Sequence, residues 1–249
     1  MAQPTARRVV ADPRHKEATK TFLGLLADVT NREGWREREA FRTWLHAAFY
    51  SLRGSVLKPD GDAWRHNEAE YMKIVARCQI AKATMGDFAR LLGIAGRALA
   101  EAPYDFLGPI FMEVEANTQI GQFFTPDSVS ELIARLSLSN VPVILAEARA
   151  EGRDHLLLQE PACGVGGMIL ASNRVLTEQG LDIGRDAYWH AIDVDFDAMC
   201  GCYIQLALTG SSAVVYHGNT LTLETWLATP TPAALMRAKK PAALPEAAE

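Results

Sequence analysis

The sequence has few cysteines, no excess of positive charge and no long apolar run. Its four cysteines in 249 residues are too few for a disulfide framework. The pair Cys200 and Cys202 lacks a second cysteine or histidine pair at the spacing of a zinc site. No run approaches the roughly 20 apolar residues of a membrane helix, and residues 1–20 lack the apolar core of a signal peptide. We therefore expect a cytoplasmic globular protein with no membrane partner and no metal.

The charge balance restricts how the chain could contact nucleic acid. With 25 Lys+Arg against 30 Asp+Glu, the net charge is -5, which argues against a surface that wraps nucleic acid as a whole. Any DNA contact must therefore be local. The densest basic stretch alternates arginines with glutamates: Arg32, Glu33, Arg36, Glu37, Arg38, Glu39 and Arg42. A solvated helix face with ion pairs between residues four apart is favoured there over a track for phosphates.

The first part of the chain has a helical pattern. From about residue 17 to residue 100, apolar residues recur every three or four positions. The clearest stripe consists of Met85, Phe88, Leu92, Ala95 and Leu99. Helix breakers separate the stripes, at Gly54, at residues 59–61 and at Pro103. The pattern predicts a flexible N-terminus over residues 1–16 and a small helical domain over residues 17–112.

The second half alternates strand and helix patterns. Short apolar runs over residues 155–159, 188–193 and 213–216 predict strands, and residues 168–176 and 196–208 predict the helices between them. This alternation is typical of a parallel α/β sheet with right-handed crossovers, in which ligands bind at the carboxyl ends of the strands.

The predicted sheet is incomplete. Three strands are too few for a doubly wound domain, so we expect the remainder to be missing or supplied by another chain. No strand is predicted beyond Tyr216. The pattern assigns residues 113–227 to a Rossmann-like domain and residues 228–249 to a tail rich in proline and alanine.

A glycine turn follows the first predicted strand. Gly164, Gly166 and Gly167 lie between that strand and a helix, where glycines let the backbone approach a ligand. A phosphate loop would need a lysine followed by Ser or Thr, and the segment has none. A dinucleotide fingerprint would need a third glycine where Ile169 stands. Both phosphate-binding interpretations are therefore weak.

The residues around the turn favour a cofactor without phosphates. Glu160, at the strand end, would repel a pyrophosphate but could pair with an ammonium group. Asp193 ends the next strand, where a carboxylate can accept the ribose hydroxyls. Phe123 and Phe124 offer apolar faces to a purine or a sulfonium cation. S-adenosylmethionine has each of these parts. The alternative is that Glu160 caps the turn and that Asp193 or Asp195 caps the following helix.

The helix after the phenylalanines has a recognisable start. Thr125 is a good N-cap and Pro126 suits the first helical position.

Several segments together resemble a known family. They are Gly121-Gln122-Phe123-Phe124-Thr125-Pro126, Glu160-Pro161-Ala162-Cys163-Gly164-Val165-Gly166-Gly167-Met168, Ile192-Asp193-Val194-Asp195 and Gln205-Leu206-Ala207-Leu208-Thr209-Gly210. In this order they resemble the adenine-N6 DNA methyltransferases of the type I restriction-modification kind. The segment Asp105-Phe106-Leu107-Gly108-Pro109-Ile110-Phe111 resembles the helix that joins the family's helical region to its catalytic domain. The resemblance covers roughly residues 85 to 222.

The resemblance implies S-adenosylmethionine as cofactor and assigns roles to individual residues. Phe123, Thr125 and Pro126 would contact the methionine end, and Asp193 would hold the ribose. Asn219 stands where the family has an acidic residue that meets the adenine amino group, and its carbonyl oxygen could accept the same hydrogen bond. The floor of the site would consist of Glu160, Pro161, Gly164 and Gly166.

One family motif is absent from the sequence. The family holds the extruded adenine with Asn or Asp, two prolines and an aromatic residue, and neither Asn-Pro-Pro nor Asp-Pro-Pro occurs in these 249 residues. Positioning of the target nitrogen is most of what such an enzyme contributes, so no catalytic residue is assigned.

Two functions remain open. The first is transfer of a methyl group to adenine N6 in DNA, which the protein would contact directly or through a partner subunit in a homo- or hetero-oligomer. The second is a non-catalytic, cofactor-binding regulatory or assembly module of a prokaryotic restriction-modification or mobile-element system.

Overall fold

The computed structural model describes residues 13–115 and 125–238, and within them a helical part precedes a small α/β sheet. The predicted flexible N-terminus and the end of the predicted tail fall largely outside these residues. After a 3-10 turn at Pro13–His15, the helices before the first strand are α1 (Lys16–Glu33), α2 (Glu37–Gly54), α3 (Asp62–Arg77), α4 (Ala81–Glu101), α5 (Leu107–Glu115), α6 (Asp127–Ser137) and α7 (Val141–Ala150). The remaining elements are β1 (Leu156–Glu160), α8 (Gly167–Glu178), β2 (Ala187–Asp193), α9 (Phe196–Leu208), β3 (Ala213–Asn219), β4 (Glu224–Pro230) and α10 (Pro232–Ala238).

The apolar stripes of the first part pack against one another, as predicted. On α4, Phe88 and Leu99 are buried and Leu92 packs against the same core. Trp44 of α2 is fully buried, and its indole N–H donates to the Phe88 carbonyl oxygen at 3.2 Å. This hydrogen bond satisfies the one polar group of the largest side chain in the helical core.

The sheet has the order β1-β2-β3-β4, and its first three strands are parallel. Glu160 at the end of β1 pairs with Ala191, and Asp193 at the end of β2 pairs with His217. The predicted α/β architecture with a preceding helical part is confirmed. Since parallel strands end at the same edge, the loops after β1, β2 and β3 lie side by side.

The expectation of only three strands is wrong. β4 runs antiparallel to β3, with Val214 opposite Pro230, and the predicted tail boundary at residue 228 falls inside it. Sequence pattern did not find β4 because it pairs with one neighbour and its first residues are exposed, so burial does not impose an alternating apolar pattern. Its closing proline stands at the strand end, where a missing N–H is tolerated.

One hydrophobic core joins the helical part to the sheet. Phe49 of α2 contacts two rings of α9, Phe196 with a centroid separation of 5.9 Å and Tyr203 with 5.2 Å. Phe106, just before α5, and Ile110 on α5 are buried in the same core. The helices therefore fix the position of α9, which follows the end of β2 directly.

Gln205, on α9, connects three segments through one buried side chain. Its amide nitrogen donates to Asp105 Oδ1 and to the Val165 carbonyl oxygen, each at 2.8 Å. Its carbonyl oxygen accepts from the backbone N–H of Phe106 at 2.9 Å and of Leu107 at 3.2 Å. Both amide protons and both oxygen lone pairs are thus used. The start of α5 and the turn after β1 are held to α9 by this residue.

No single helix among the described residues is both long and apolar enough to cross a membrane. The pair formed by α6 and α7, bent by 50° at the break between them, meets the criteria of length and composition only when the two are taken together.

We expect Gln205→Ala to lower the free energy of unfolding by about 3–5 kcal/mol, because each buried polar group left without its partner costs about 1–3 kcal/mol and truncation leaves a cavity. Chemical denaturation followed by circular dichroism measures the loss. Gln159→Ala, an exposed glutamine on β1, is the matched control and should change stability by less than about 0.5 kcal/mol. Equal losses in the two variants would contradict the role assigned to Gln205.

Candidate functional site

The carboxyl ends of the three parallel strands carry polar side chains. β1 ends at Glu160, β2 at Asp193 and β3 at Asn219, and all three are half-buried. The sequence-predicted residues Pro161 and Gly164 follow Glu160 in the same loop. The structure therefore brings most of the predicted site residues to one edge of the sheet.

The turn after β1 requires glycine at two positions. Gly164 and Gly166 have φ angles of 52° and 96°, in the left-handed region that other residues rarely adopt. A Cβ atom on Gly166 would also lie 3.2 Å from the Cys202 sulfur on α9. Gly166 precedes the first residue of α8, so the turn brings bare backbone and the helix N-terminus to the sheet edge, a geometry suited to close contact with a ligand.

Asp193 fastens the glycine turn to the end of β2. Its Oδ2 accepts from the Gly164 N–H at 2.7 Å, and its Oδ1 accepts from the Asp195 N–H at 2.9 Å. The neighbouring Cys163 N–H donates to the Ile192 carbonyl oxygen at 2.9 Å. The Asp193 carboxylate is therefore fixed in orientation, and each oxygen keeps a further lone pair for a ligand.

The sequence left open whether Glu160 caps the glycine turn and whether Asp193 or Asp195 caps α9, and the structure shows both kinds of cap. Glu160 Oε1 accepts from the Ala162 N–H at 3.3 Å, a long hydrogen bond in the turn. Asp195 caps α9 by accepting from the backbone N–H of Asp197 at 2.8 Å and of Ala198 at 3.2 Å. Capping of α9 thus belongs to Asp195, which leaves Asp193 to face the glycine turn.

Cys163 is a neutral thiol at the floor of the turn. Its hydrogen bond with Cys202, its burial and the nearby carboxylates of Asp193 and Glu160 all raise its pKa well above the ordinary thiol value. The thiolate is the nucleophilic form. Cys163 therefore fills space at the site and is not a reactive group there.

The loop after β3 reaches back to the loop after β1. The Thr220 hydroxyl donates to the Pro161 carbonyl oxygen at 2.6 Å. Asn219 Oδ1, which the resemblance directs at a ligand, accepts instead from the backbone N–H of Leu221 at 2.9 Å and of Thr222 at 3.4 Å. Its amide N–H groups are then the part of the side chain that remains for a ligand.

The helix start at α6 differs from the prediction. The helix begins at Asp127; Pro126, not Thr125, is the residue before it, and no side chain caps it. The reason is that Pro126 has a ψ angle of 142°, outside the helical range. Thr125 and Pro126 are exposed, and none of the contacts described joins them to the glycine turn. The predicted Phe123 lies outside the described residues.

Sequence reasoning missed the residues that secure the site. Arg174 on α8 holds the start of α6 through Asp127, with distances of 2.7 and 2.9 Å to its two carboxylate oxygens, and its guanidinium lies over the Tyr104 ring at 3.7 Å. The sequence did offer one signal for Arg174, because it is an arginine within a largely apolar helical segment that has few other charges. The second missed residue is Gln205, which holds the carbonyl of Val165 inside the glycine turn.

Three parallel strands with a glycine turn after the first and carboxylates at two strand ends are the architecture of Rossmann-like cofactor-binding domains. The family model described as N-6 DNA methylase matches residues 100–237, more than half of the chain. The chain therefore belongs to the N-6 DNA methylase family, and the predicted resemblance to adenine-N6 DNA methyltransferases is confirmed at the level of the family. Membership of this family implies S-adenosylmethionine as cofactor.

Comparison with solved structures returns a partial match. A protein from Listeria monocytogenes, provisionally described as a class I S-adenosylmethionine-dependent methyltransferase, has a crystal structure that matches 79% of this chain at 15% identity and a TM-score of 0.41. The match covers 52% of that protein, so this chain spans about half of its length. Comparison with curated proteins returns no match.

The residues at the sheet edge fit the implied cofactor. Glu160 and Asp193 are hydrogen-bond acceptors, which suits hydroxyl and ammonium groups and disfavours a phosphate. The turn from residue 160 to residue 168 contains no lysine or arginine.

We expect Gly166→Ala to destabilise the protein by about 2–3 kcal/mol, since it adds backbone strain and crowds the Cys202 sulfur. Gly152→Ala is the control, because Gly152 has a similar φ of 82° with no atom within 4 Å of its added Cβ. Thermal unfolding of the two variants separates strain from crowding. If Gly152→Ala lowers stability as much as Gly166→Ala, then crowding against α9 does not explain the need for glycine at position 166.

Proposed function

We propose that this protein binds S-adenosylmethionine at the sheet edge formed by the loops after β1, β2 and β3 and transfers its methyl group to adenine N6 in DNA. The observation that carries the proposal is the fastening of the glycine turn to the β2 carboxylate, through the Gly164 N–H and Asp193 Oδ2 at 2.7 Å. Family membership supports the reaction class.

Each residue at the edge has a proposed part in holding the cofactor. Asp193 accepts from the ribose hydroxyls with its remaining lone pairs, and Glu160 pairs with the ammonium group directly or through water. Gly164 and Gly166 let the ligand approach the backbone of the turn, beside Pro161. Asn219 contacts the adenine ring through its amide N–H, since its oxygen is engaged in its own turn.

The methionine end belongs to the segment before α6. We propose that Phe123, Thr125 and Pro126 contact it, as the resemblance implies. When bound, S-adenosylmethionine supplies an electrophilic methyl group on a sulfonium. The contribution of the protein is to orient that group toward a base extruded from the DNA stack.

The organisation and setting form part of the same proposal. A helical domain over residues 17–112 precedes a cofactor-binding domain that begins near residue 113 and includes β4 and α10. The protein acts in the cytoplasm of a prokaryotic cell, within a restriction-modification system of the type I kind. A partner subunit or a second copy completes the adenine site.

A second candidate function is a cofactor-binding module without catalysis, with a regulatory or assembly role in a restriction-modification or mobile-element system. The absence of Asn-Pro-Pro and Asp-Pro-Pro from the sequence favours it. Without that group, nothing yet assigned on this chain holds the adenine amino group in line with the methyl group.

We expect calorimetry to show binding of S-adenosylmethionine that Glu160→Ala and Asp193→Ala each weaken by about 10- to 150-fold, because a hydrogen bond to a charged group contributes about 1.5–3 kcal/mol. Glu178→Ala, an exposed carboxylate on α8, is the matched control and should bind as the unaltered protein does. Circular dichroism checks that the Asp193 variant is folded, since that carboxylate also holds two backbone amides. Unchanged binding in both site variants refutes the assignment of the pocket.

Methyl transfer separates the two candidate functions. We expect label from S-adenosylmethionine to appear on adenine in duplex DNA when the protein is incubated with the donor, alone or with lysate from its source. Digestion to nucleosides and chromatography identify the methylated base. Cofactor binding without any incorporation under both conditions would establish the non-catalytic module instead.

A further inference from the structure

A basic cleft of about 280 Å³ opens between α2 and the end of α3, outside the site described above. Four arginines and one histidine line it, with a single carboxylate among them. They are Arg36, Arg38, Arg42, His46, Arg77 and Glu39. In a chain with a net charge of -5, such a concentration of guanidinium groups around one concave surface is a local exception that points to an anion.

Two glutamates of the alternating stretch, Glu33 and Glu39, do not pair with an arginine of α2. Glu33 is buried, and its carboxylate accepts from the Gln79 N–H and the Thr84 hydroxyl at the junction of α3 and α4. Glu39 pairs with Arg77 on the opposite wall at 2.9 Å. The pattern of ion pairs four residues apart, which the sequence favoured for this stretch, therefore does not account for these two glutamates.

Asp197 contacts two residues that line the cleft, Arg42 and His46. It is buried, accepts from His46 Nε2 at 2.7 Å and pairs with Arg42. Burial alone would raise its pKa, but the hydrogen bond from His46 and the charge of Arg42 outweigh burial and lower it. Asp197 thus stays ionised and orients one guanidinium and one imidazole. Asp197 and Glu39 thus pair with Arg42 and Arg77, two of the four arginines that line the cleft.

The cleft lies beside the proposed cofactor site. Asp197 is in the first turn of α9, four residues after Asp193 at the end of β2. A row of rings leads from the cleft along this edge. His46 contacts Phe196 with a centroid separation of 5.1 Å, Phe196 contacts His217 at 5.2 Å, and His217 contacts Trp226 at 4.7 Å. Trp226 on β4 is 52% exposed.

Guanidinium groups beside a row of rings that ends at the exposed Trp226 match the chemistry of a nucleic acid strand. Arginine binds phosphate oxygens through a planar fork of donors, and a ring offers a face on which a base can stack. Phosphate contacts fix the register of the bound strand and carry no sequence information themselves. A phosphate held in the cleft would place the adjoining nucleotides along the ring row, at the sheet edge where the cofactor loops lie.

We propose that the cleft between α2 and α3 binds backbone phosphate of the DNA substrate and so positions the strand at the cofactor site. The inference rests on the proposed function for the identity of the nucleic acid, and on the cleft itself for the phosphate. Arg36 and Arg77, one from each wall, are positioning residues, since they hold the strand without contacting the reacting atoms.

The test is binding of a fluorescently labelled DNA duplex, measured by anisotropy over a range of salt concentrations. We expect Arg36→Gln/Arg77→Gln to weaken binding about tenfold and to reduce the slope of log K against log salt by about 0.9 for each phosphate that is no longer neutralised. Both side chains are exposed, so the fold should survive, which thermal unfolding verifies.

The matched control is Arg65→Gln/Arg97→Gln, which removes the same charge from exposed positions on α3 and α4 away from the cleft. The control should retain its affinity within about twofold and its salt slope. If the control and the cleft variant lose affinity equally, net charge explains the effect and the proposal is refuted. The proposal also fails if the cleft variant binds DNA normally.

Two further measurements are needed. One distinguishes DNA from a small phosphate anion as the ligand of the cleft, and the other distinguishes failure of the cleft proposal from failure of the proposed function. Titration with inorganic phosphate or pyrophosphate distinguishes a small-anion site: tight binding of either, with DNA affinity unaffected in the cleft variant, overturns the proposal. Calorimetry with S-adenosylmethionine should give the same affinity for the cleft variant as for the unaltered protein. Absence of cofactor binding by the unaltered protein, with DNA binding still dependent on the cleft, would sink the proposed function and leave the cleft assignment standing.

Discussion

The architecture depends on the fully satisfied amide of Gln205. This side chain is buried, and its four hydrogen bonds hold the start of α5 and the turn after β1 to α9. An amide in this position accepts and donates at once, which no apolar side chain of similar size can do. The spacing between the helical part and the strand ends is therefore set by directed bonds as well as by apolar packing.

The polar groups at the sheet edge hold its loops together. Asp193 fixes the glycine turn, while Thr220 ties the loop after β3 to the loop after β1. Capping and ligand binding were competing explanations of the carboxylates when only the sequence was considered. The structure separates the two roles, because Asp195 caps α9 and leaves the second lone pairs of Asp193 available.

The sequence predicted those parts of the fold whose determinants are local. The bounds of α9, Phe196 to Leu208, follow from its apolar content and from the turn at Thr209 and Gly210, and both agree with the structure. β4 was not predicted because its residues are mostly exposed, so its sequence lacks the alternation of apolar and polar residues that marks a half-buried strand. The start of α6 was misplaced because Pro126 has an extended backbone instead of the helical one that its residue type allows.

Long-range polar contacts leave little signal in a single sequence. The partners of Gln205 lie 40 and 100 residues away along the chain, and Asp197 meets His46 across 151 residues. The strand-end positions of Glu160 and Asp193 could be predicted from the apolar runs before them, whereas the third strand was predicted to end at Tyr216, three residues before Asn219. The engagement of the Asn219 oxygen within its own turn could not be predicted, because it depends on the path of the chain after β3.

The two amide hydrogen bonds to Asp193 have a consequence for ligand recognition. A carboxylate on a flexible loop must lose rotational freedom when it captures a ligand, and an immobilised side chain costs about 0.5–1.5 kcal/mol. Here folding has already restricted that rotation, through the amides of Gly164 and Asp195. For the proposed cofactor, the Asp193 carboxylate would therefore be a rigid acceptor, because folding has already reduced its rotational entropy.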